Sequence, residues 1–236
     1  KGPAMKNEDI PVIRGIPLFS KLSDDHFDFL FKTAYLQQFP PHLQLMTEGD
    51  SADFLHVVIE GTVELFGSSN DRETTMLVLR PFSVYNLSAV LEGAVYLMSV
   101  RTLDQARILM IPATNISELM DINPGFAHAM VTELAKRYQT VIKAFKEQRL
   151  RSGLQRLANY LLRANVQASK RGHIELTEDK RTLAALLGMT PEYLSRALTS
   201  LKDYGVEVKG NKIWLRNLKA LNELAQPNPL IDRRVV

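Results

Sequence analysis

The chain has 236 residues, 45% hydrophobic and 23% charged, with a formal net charge of +3, which is room for two domains and a connector. It has no cysteine, which excludes disulfides, thiolate zinc sites and cysteine-ligated iron–sulfur clusters. No run approaches the roughly 20 apolar residues needed to cross a bilayer and no secretory signal is recognisable, so the expectation is a soluble, cytoplasmic protein without a membrane partner.

The opening Lys1-Gly2-Pro3-Ala4 before Met5 reads as an added remnant that precedes the fold. Ser23 can cap a short helix over 24–34 whose Phe27, Leu30 and Phe31 share a face. Short strands follow at 43–46, 54–59, 62–66, 75–79, 99–103 and 107–111, with turns at Gly49 and Gly61. Such a set predicts a small sandwich or barrel-like roll. His56 shares a strand face with Phe54 and Val58, the usual place of a satisfied core histidine. Met46, Met76, Met98 and Met110 read as core fillers.

A metal-dependent barrel enzyme would need clustered histidines and a carboxylate. No His-x-His occurs, and none of His26, His42, His56, His128 and His173 stands at ligand spacing from a glutamate. A Gly-rich phosphate loop and a nucleophile elbow are also missing, so no enzymatic activity is expected.

Asn123-Pro124 is a strong helix start, a cap followed by a first-turn proline. Ala127, Val131, Leu134, Tyr138, Val141 and Phe145 then step by four and three alternately, as coiled-coil a and d positions do, which argues for pairing with a second copy. Packing of the same stripe on the chain's own β domain is the alternative. Leu150, Leu154, Leu157 and Leu161 begin a fresh stripe, the expected first helix of a further module.

Residues 182–201 read as a helix-turn-helix. Leu183, Ala184, Leu186 and Leu187 pack the first helix, and Gly188 stops it. Thr190 is a good N-cap and Pro191 suits the first helical position. Leu194, Ala197, Leu198 and Leu201 form a buried stripe, while Glu192, Ser195, Arg196 and Thr199 repeat the spacing on another face. In a major groove that polar face reaches base edges, Arg forking onto guanine and Glu accepting from cytosine. Taken alone, an αα-hairpin with a solvated face has the same pattern. Two short apolar runs, 206–208 and 213–215, then flank Lys209-Gly210-Asn211-Lys212, a hairpin whose two lysines suit a phosphate backbone. A helix over 218–225 capped by Asn217 follows, and the tail from Gln226 is assigned no function. Charge agrees with this division: residues 1–149 carry 14 basic against 18 acidic residues, net −4, and residues 150–236 carry 15 against 8, net +7. A basic end beside an acidic body predicts a polyanion partner for that end.

Three segments together resemble the CRP/FNR family of bacterial transcription regulators: LMTEGDSADFLHVVIEGTVELF at 45–66, INPGFAHAMVTELAKRY at 122–138, and LAALLGMTPEYLSRALTSL at 183–201. The resemblance covers nearly the whole chain. It implies an α+β chain with a cyclic-nucleotide-binding-like β-roll over 5–120, a dimerisation helix over 121–149, and a winged helix-turn-helix over 150–226. It further implies a homodimer that reads palindromic double-stranded DNA and contacts RNA polymerase. The Glu-x-x-Ser-Arg pattern of FNR-like members falls on Glu192, Ser195 and Arg196, implying a TTGAT-like half-site.

In the nucleotide-binding members a Gly-Glu pair holds the ribose and an Arg-Ser pair the cyclic phosphate. Here the corresponding segment reads Phe82-Ser83-Val84-Tyr85-Asn86-Leu87, the Arg-Ser positions fall on Tyr96-Leu97, and the adenine-contacting pair of the dimer helix falls on Val141-Ile142. A buried phosphate would be poorly paired there. The expectation is a small effector other than cyclic AMP. An apolar ligand, a haem that senses nitric oxide or carbon monoxide, no ligand at all, or a cyclic-nucleotide-responsive activator remain the alternatives.

Overall fold

The computed structural model describes residues 8–70, 72–168 and 172–233; residues 1–4, and residues 5–7 of the expected first domain, lie outside the described residues. Two compact units divide after Ala135, inside the longest helix.

The first unit opens with α1 (Ile10–Arg14) and α2 (Asp24–Phe31). Ser23 caps α2 as its sequence predicts, its hydroxyl accepting from the His26 N–H at 3.4 Å. The helix ends at Phe31, short of 34, because the chain turns there into its first strand. Eight strands follow: β1 (Tyr35–Phe39), β2 (Gln44–Met46), β3 (Phe54–Glu60), β4 (Val63–Ser69), β5 (Arg72–Leu79), β6 (Val84–Tyr85), β7 (Ser99–Thr102) and β8 (Ala106–Pro112). A short α3 (Leu87–Glu92) lies between β6 and β7. The strands form two four-stranded antiparallel sheets, ordered β1-β8-β3-β6 and β2-β7-β4-β5.

The core explains why these segments pair. Leu55, Val57 and Val58 of β3 and Ile108, Leu109 and Ile111 of β8 are fully buried, and Phe19, Phe27, Ile116 and Leu119 close over them. Both central strands carry near-continuous apolar runs because both of their faces are covered. Met46 joins this core, Met98 and Met110 pack at its margin, and Met76 is instead half-exposed on β5. At the β3–β4 turn Gly61 has φ +80, and a Cβ there would lie 2.3 Å from the Gln105 carbonyl oxygen, so the position excludes a side chain on two counts. The one buried carboxylate of β4, Glu64, is met by the Arg101 Nε at 2.6 Å and by the Thr75 hydroxyl.

After β8 come α4 (Ala113–Ile122) and the long α5 (Pro124–Leu150). Asn123 caps α5 by accepting from the Phe126 N–H at 3.0 Å, and Phe126 and Met130 bury themselves in the core of the first unit.

The second unit takes in the C-terminal part of α5 from Lys136. It continues with α6 (Gly153–Gln167), β9 (His173–Glu175), α7 (Lys180–Leu186), α8 (Pro191–Ser200), a 3-10 turn (Leu201–Tyr204), β10 (Val206–Lys209), β11 (Lys212–Leu215), α9 (Leu218–Ala225) and α10 (Pro229–Asp232). A full capping box starts α6: Ser152 and Gln155 each bond the other's backbone N–H. Leu150 is correspondingly no part of the α6 stripe; it ends α5 and is 68% exposed, while Leu157 and Leu161 are fully buried. The expected hairpin gains a third strand, giving the antiparallel order β10-β11-β9. Leu194, Leu201, Ile213 and Leu221 form the centre of this second core.

Candidate nucleic-acid interface and effector domain

Caps set the start of α7 and the turn between α7 and α8. Asp179 accepts from the Thr182 N–H at 2.7 Å, and that bond holds its carboxyl below the usual range. Gly188 supplies the left-handed residue (φ +61) that ends the first helix. Thr190 then accepts from the Tyr193 N–H at 3.2 Å and Pro191 occupies the first turn of α8.

With Leu194, Ala197 and Leu198 buried, α8 can rotate no further, so Thr190, Pro191, Glu192, Ser195, Arg196 and Thr199 all stand exposed. The Glu192 carboxyl is held low by its own backbone N–H at the helix start, by the Thr190 hydroxyl and by Arg196 one turn on. Glu192 and Arg196 thus stand one turn apart on the exposed face of α8, an acidic group beside a basic one. The Thr199 hydroxyl donates back to the Ser195 carbonyl at 3.1 Å. Lys209 and Lys212 face each other across the β10–β11 turn, both exposed, with the Lys209 Nζ 5.8 Å from the Trp214 ring centre.

Two contacts the sequence did not signal fix how α8 is held. One guanidinium, Arg156 on α6, donates to three carbonyls: Leu187 at 2.7 Å, Gly188 at 3.0 Å and Arg151 at 2.9 Å. Arg156 therefore joins the α5–α6 corner to the turn before α8. Tyr193 lays its ring on Gly153, the first residue of α6, so closely that a Cβ there would be 2.6 Å from the Tyr193 Cε1.

In the first unit, Tyr35, Met110, His56 and Tyr85 are directly opposed across β1, β8, β3 and β6, and so share one face of the sheet. The His56 ring stacks on Tyr85 (5.2 Å between centres) and meets Tyr96 edge-on at 6.2 Å. His56 is buried as its strand position predicts, but only partly satisfied: its Nδ1 and the Tyr85 hydroxyl are enclosed and have no hydrogen-bond partner among the described residues. Burial pushes the His56 imidazole down to about 4, the Phe54 carbonyl opposing only in part. Burial likewise pushes the Tyr85 phenol up, with Tyr96 adding to it.

Of the expected effector residues, Tyr85, Leu87 and Tyr96 are buried in this unit, and Ser83 and Asn86 are half-buried. Asn86 has left-handed backbone (φ 63) and its amide meets the Met46 Sδ at 2.8 Å. Leu97 lies outside the cluster, 79% exposed. Val141 and Ile142 belong to the second unit and are exposed on α5, at 59% and 39%. Among the described residues no group of three histidines or carboxylates could hold a metal ion, and no helix is long and apolar enough to cross a membrane.

Comparison with known proteins agrees with this division. Residues 155–224 match the Crp-like helix-turn-helix domain and residues 36–123 the cyclic nucleotide-binding domain. A potassium channel, KOR1 of Oryza sativa subsp. japonica, is 27% identical over 113 residues; this stretch is 48% of the chain and spans only 13% of that channel's length. A structure described as a candidate cAMP-binding regulatory protein of Silicibacter pomeroyi is 25% identical (TM-score 0.58), covering 92% of this chain and 100% of the other. FixK2 of Bradyrhizobium japonicum shares the fold at 19% identity (TM-score 0.70; 81% and 97% covered). A c-di-GMP responsive global regulator of Xanthomonas campestris does so at 20% (TM-score 0.68; 83% and 100% covered). The two domain matches, in this order on one chain and joined by α5, together span about two thirds of the sequence; the chain belongs to the CRP/FNR family of DNA-binding transcription regulators.

Proposed function

We propose that this chain acts as a homodimer that reads an inverted repeat through α8 and recruits or blocks RNA polymerase there, in the cytoplasm. The observation that carries the DNA reading is the exposure of Glu192, Ser195 and Arg196 on one face of a helix whose opposite face is locked into the second core. That set suits a TTGAT-like half-site, with Thr190, Pro191 and Thr199 beside the bases and Lys209 and Lys212 on the backbone. Dimerisation is supported by the α5 seam. Val131, Tyr138, Val141 and Phe145 are each more than half exposed on one stripe, an apolar surface that a partner helix would cover. The working division is a roll over 5–120, a dimer helix over 121–149 and a DNA module over 150–226.

The roll as built does not suit a cyclic nucleotide. Within 82–87 both Phe82 and Asn86 have the left-handed backbone a glycine would supply; Asn86 is the one that starts α3, and reading the ribose-holding Gly-Glu pair onto Asn86-Leu87 puts an apolar residue in place of the carboxylate. Tyr96, with its ring against His56, stands where a phosphate-binding cation belongs. Nor does the interior fit haem. The one histidine it holds is hemmed in by Phe54, Tyr85 and Tyr96, and a porphyrin would have to displace those rings. The effector is then a small molecule other than a cyclic nucleotide, or one that moves this aromatic cluster.

Selection of bound sequences from random duplexes, with sedimentation of the free and bound protein, tests the reading. An enriched inverted repeat bound by two chains is expected. A monomer in both states, or no enriched sequence, overturns it. Val131→Glu combined with Val141→Glu should give a folded monomer with weakened binding to the full repeat.

A further inference from the structure

The C-terminal tail, for which the sequence offered no role, is built into the corner from which the helix-turn-helix hangs. Asp232 on α10 accepts from both terminal nitrogens of the Arg151 guanidinium, at 2.8 and 2.6 Å, and also from the Arg163 Nη1 at 2.9 Å. Its Oδ2 accepts from the Asn228 N–H at 2.7 Å, which folds the tail around it. Glu147 of α5 completes the cluster, 3.3 Å from Arg151 and 3.0 Å from Arg163. One residue on, the Arg233 carbonyl accepts from the Lys143 Nζ of α5 at 2.6 Å. The Arg151 side chain is only 6% exposed, and that of Asp232 14%. This is a nearly dry, bidentate ion pair, quite unlike the loose pairs of a surface tail.

Arg151 is the corner residue between α5 and α6. Its side chain is held by the tail, and its carbonyl is held by Arg156, which also holds Leu187 and Gly188 at the turn before α8. Gln148 of α5 abuts the same turn; a Cβ at Gly188 would lie 2.6 Å from its Oε1. A continuous run of charge-assisted hydrogen bonds therefore passes from Asp232 through Arg151 and Arg156 to the turn before the recognition helix.

We infer that Asp232 is a positioning residue for DNA binding: by clasping Arg151 the tail sets the angle at which α8 leaves α5, and so the separation of the two recognition helices in the dimer. The inference rests on the reading of a dimer on an inverted repeat. Its signature is geometric. One base pair added between half-sites displaces the second by about 3.4 Å along and about 34° around the duplex, so a rigid corner discriminates spacers sharply and a loosened corner does not.

The test measures affinity of the full chain for the selected repeat and for versions with spacers one and two base pairs longer or shorter. Wild type should lose roughly tenfold or more on each wrong spacer. Asp232→Asn, nearly isosteric, should bind the correct repeat more weakly, keep the same base preference in each half-site, and lose only about two- to threefold on the wrong spacers. Asp232→Glu should recover part of the discrimination. Lys143→Ala, which removes the milder contact, keeps the test open should Asp232→Asn fail to fold; it should show the same trend with smaller amplitude. A folded tail variant with the wild-type spacing profile overturns the inference. A wild type that binds no inverted repeat refutes instead the dimer reading beneath it.

Discussion

His56 gives the sharpest energetic prediction. Enclosed between Phe54, Tyr85 and Tyr96, with a folded value near 4 against about 6.5 in an unfolded chain, it stays neutral in the native state while the unfolded state takes up a proton. The unfolded state therefore binds more protons below pH 6.5, and stability falls as pH falls from that value towards 4, below which this contribution is flat. Working the linkage from those two values gives a loss of about 2 kcal/mol by pH 5 and about 3 kcal/mol by pH 4 from this one residue. His56→Phe keeps a ring of similar size in the stack and removes both the titration and the unpartnered Nδ1, whose burial costs about 1–3 kcal/mol. The variant should equal or exceed wild type at pH 7, and its advantage should grow by about 2 kcal/mol on going to pH 5. Urea unfolding followed by far-ultraviolet circular dichroism, at fixed protein concentration and at pH 7, 6, 5 and 4.5, reads the roll. The single tryptophan, Trp214, lies in the second unit and provides an internal control whose transition should not respond to the substitution. A gap between variant and wild type that stays constant over the whole pH range would refute the reasoning, because it would place His56 in contact with water or with a partner that the packing excludes.

Other consequences are as direct. Arg196→Ala should cost roughly ten- to hundredfold on the selected site and flatten preference at one base pair. By contrast, Lys209→Ala or Lys212→Ala should weaken all sequences alike and lower the salt slope by about one; competition against single-base variants at several salt concentrations separates the two patterns. Calorimetry with cyclic AMP should show no saturable binding at micromolar concentration, and a ligand-dependent gain in DNA affinity would mean that Tyr85 and Tyr96 move aside. Gly61→Ala should destabilise the roll by more than about 2 kcal/mol, since strain at φ +80 adds to the clash with Gln105. A thermal melt unchanged within error would show that the turn can shift to admit the methyl group.

What could be read from the sequence was whatever is written locally. The caps Ser23, Asn123, Thr190 and Asn217 act where they were expected because each needs only its own next turn. The α8 faces and the β10–β11 hairpin follow from spacing alone. Elements defined by a distant partner were not legible. The strand β6 is two residues long and exists because His56 and Val57 pair with it; β9 is three residues that complete a hairpin, and α4 begins after Pro112 with no side-chain cap. The same holds within the candidate sites. Glu192, Ser195 and Arg196 announce themselves by period, whereas Arg156 and Asp232 act on carbonyls and charges 31 to 81 residues away, and no local pattern marks such a pairing. The orphaned nitrogen of His56 is a further case, since whether a buried histidine is satisfied depends on which strand lies beside it.

The contact between Tyr193 and Gly153 couples two positions that any attempt to retarget this protein must treat as one. A library that varies the recognition helix will include position 193, and replacing the tyrosine by a small residue vacates the surface of α6, where a larger side chain at 153 then becomes admissible. The converse substitution, a side chain at 153 under an intact tyrosine, pushes the ring off α6. Descendants of this sequence selected for new half-sites should therefore change the two positions together, and a scan that alters either alone will mistake a displaced tyrosine for a lost base contact.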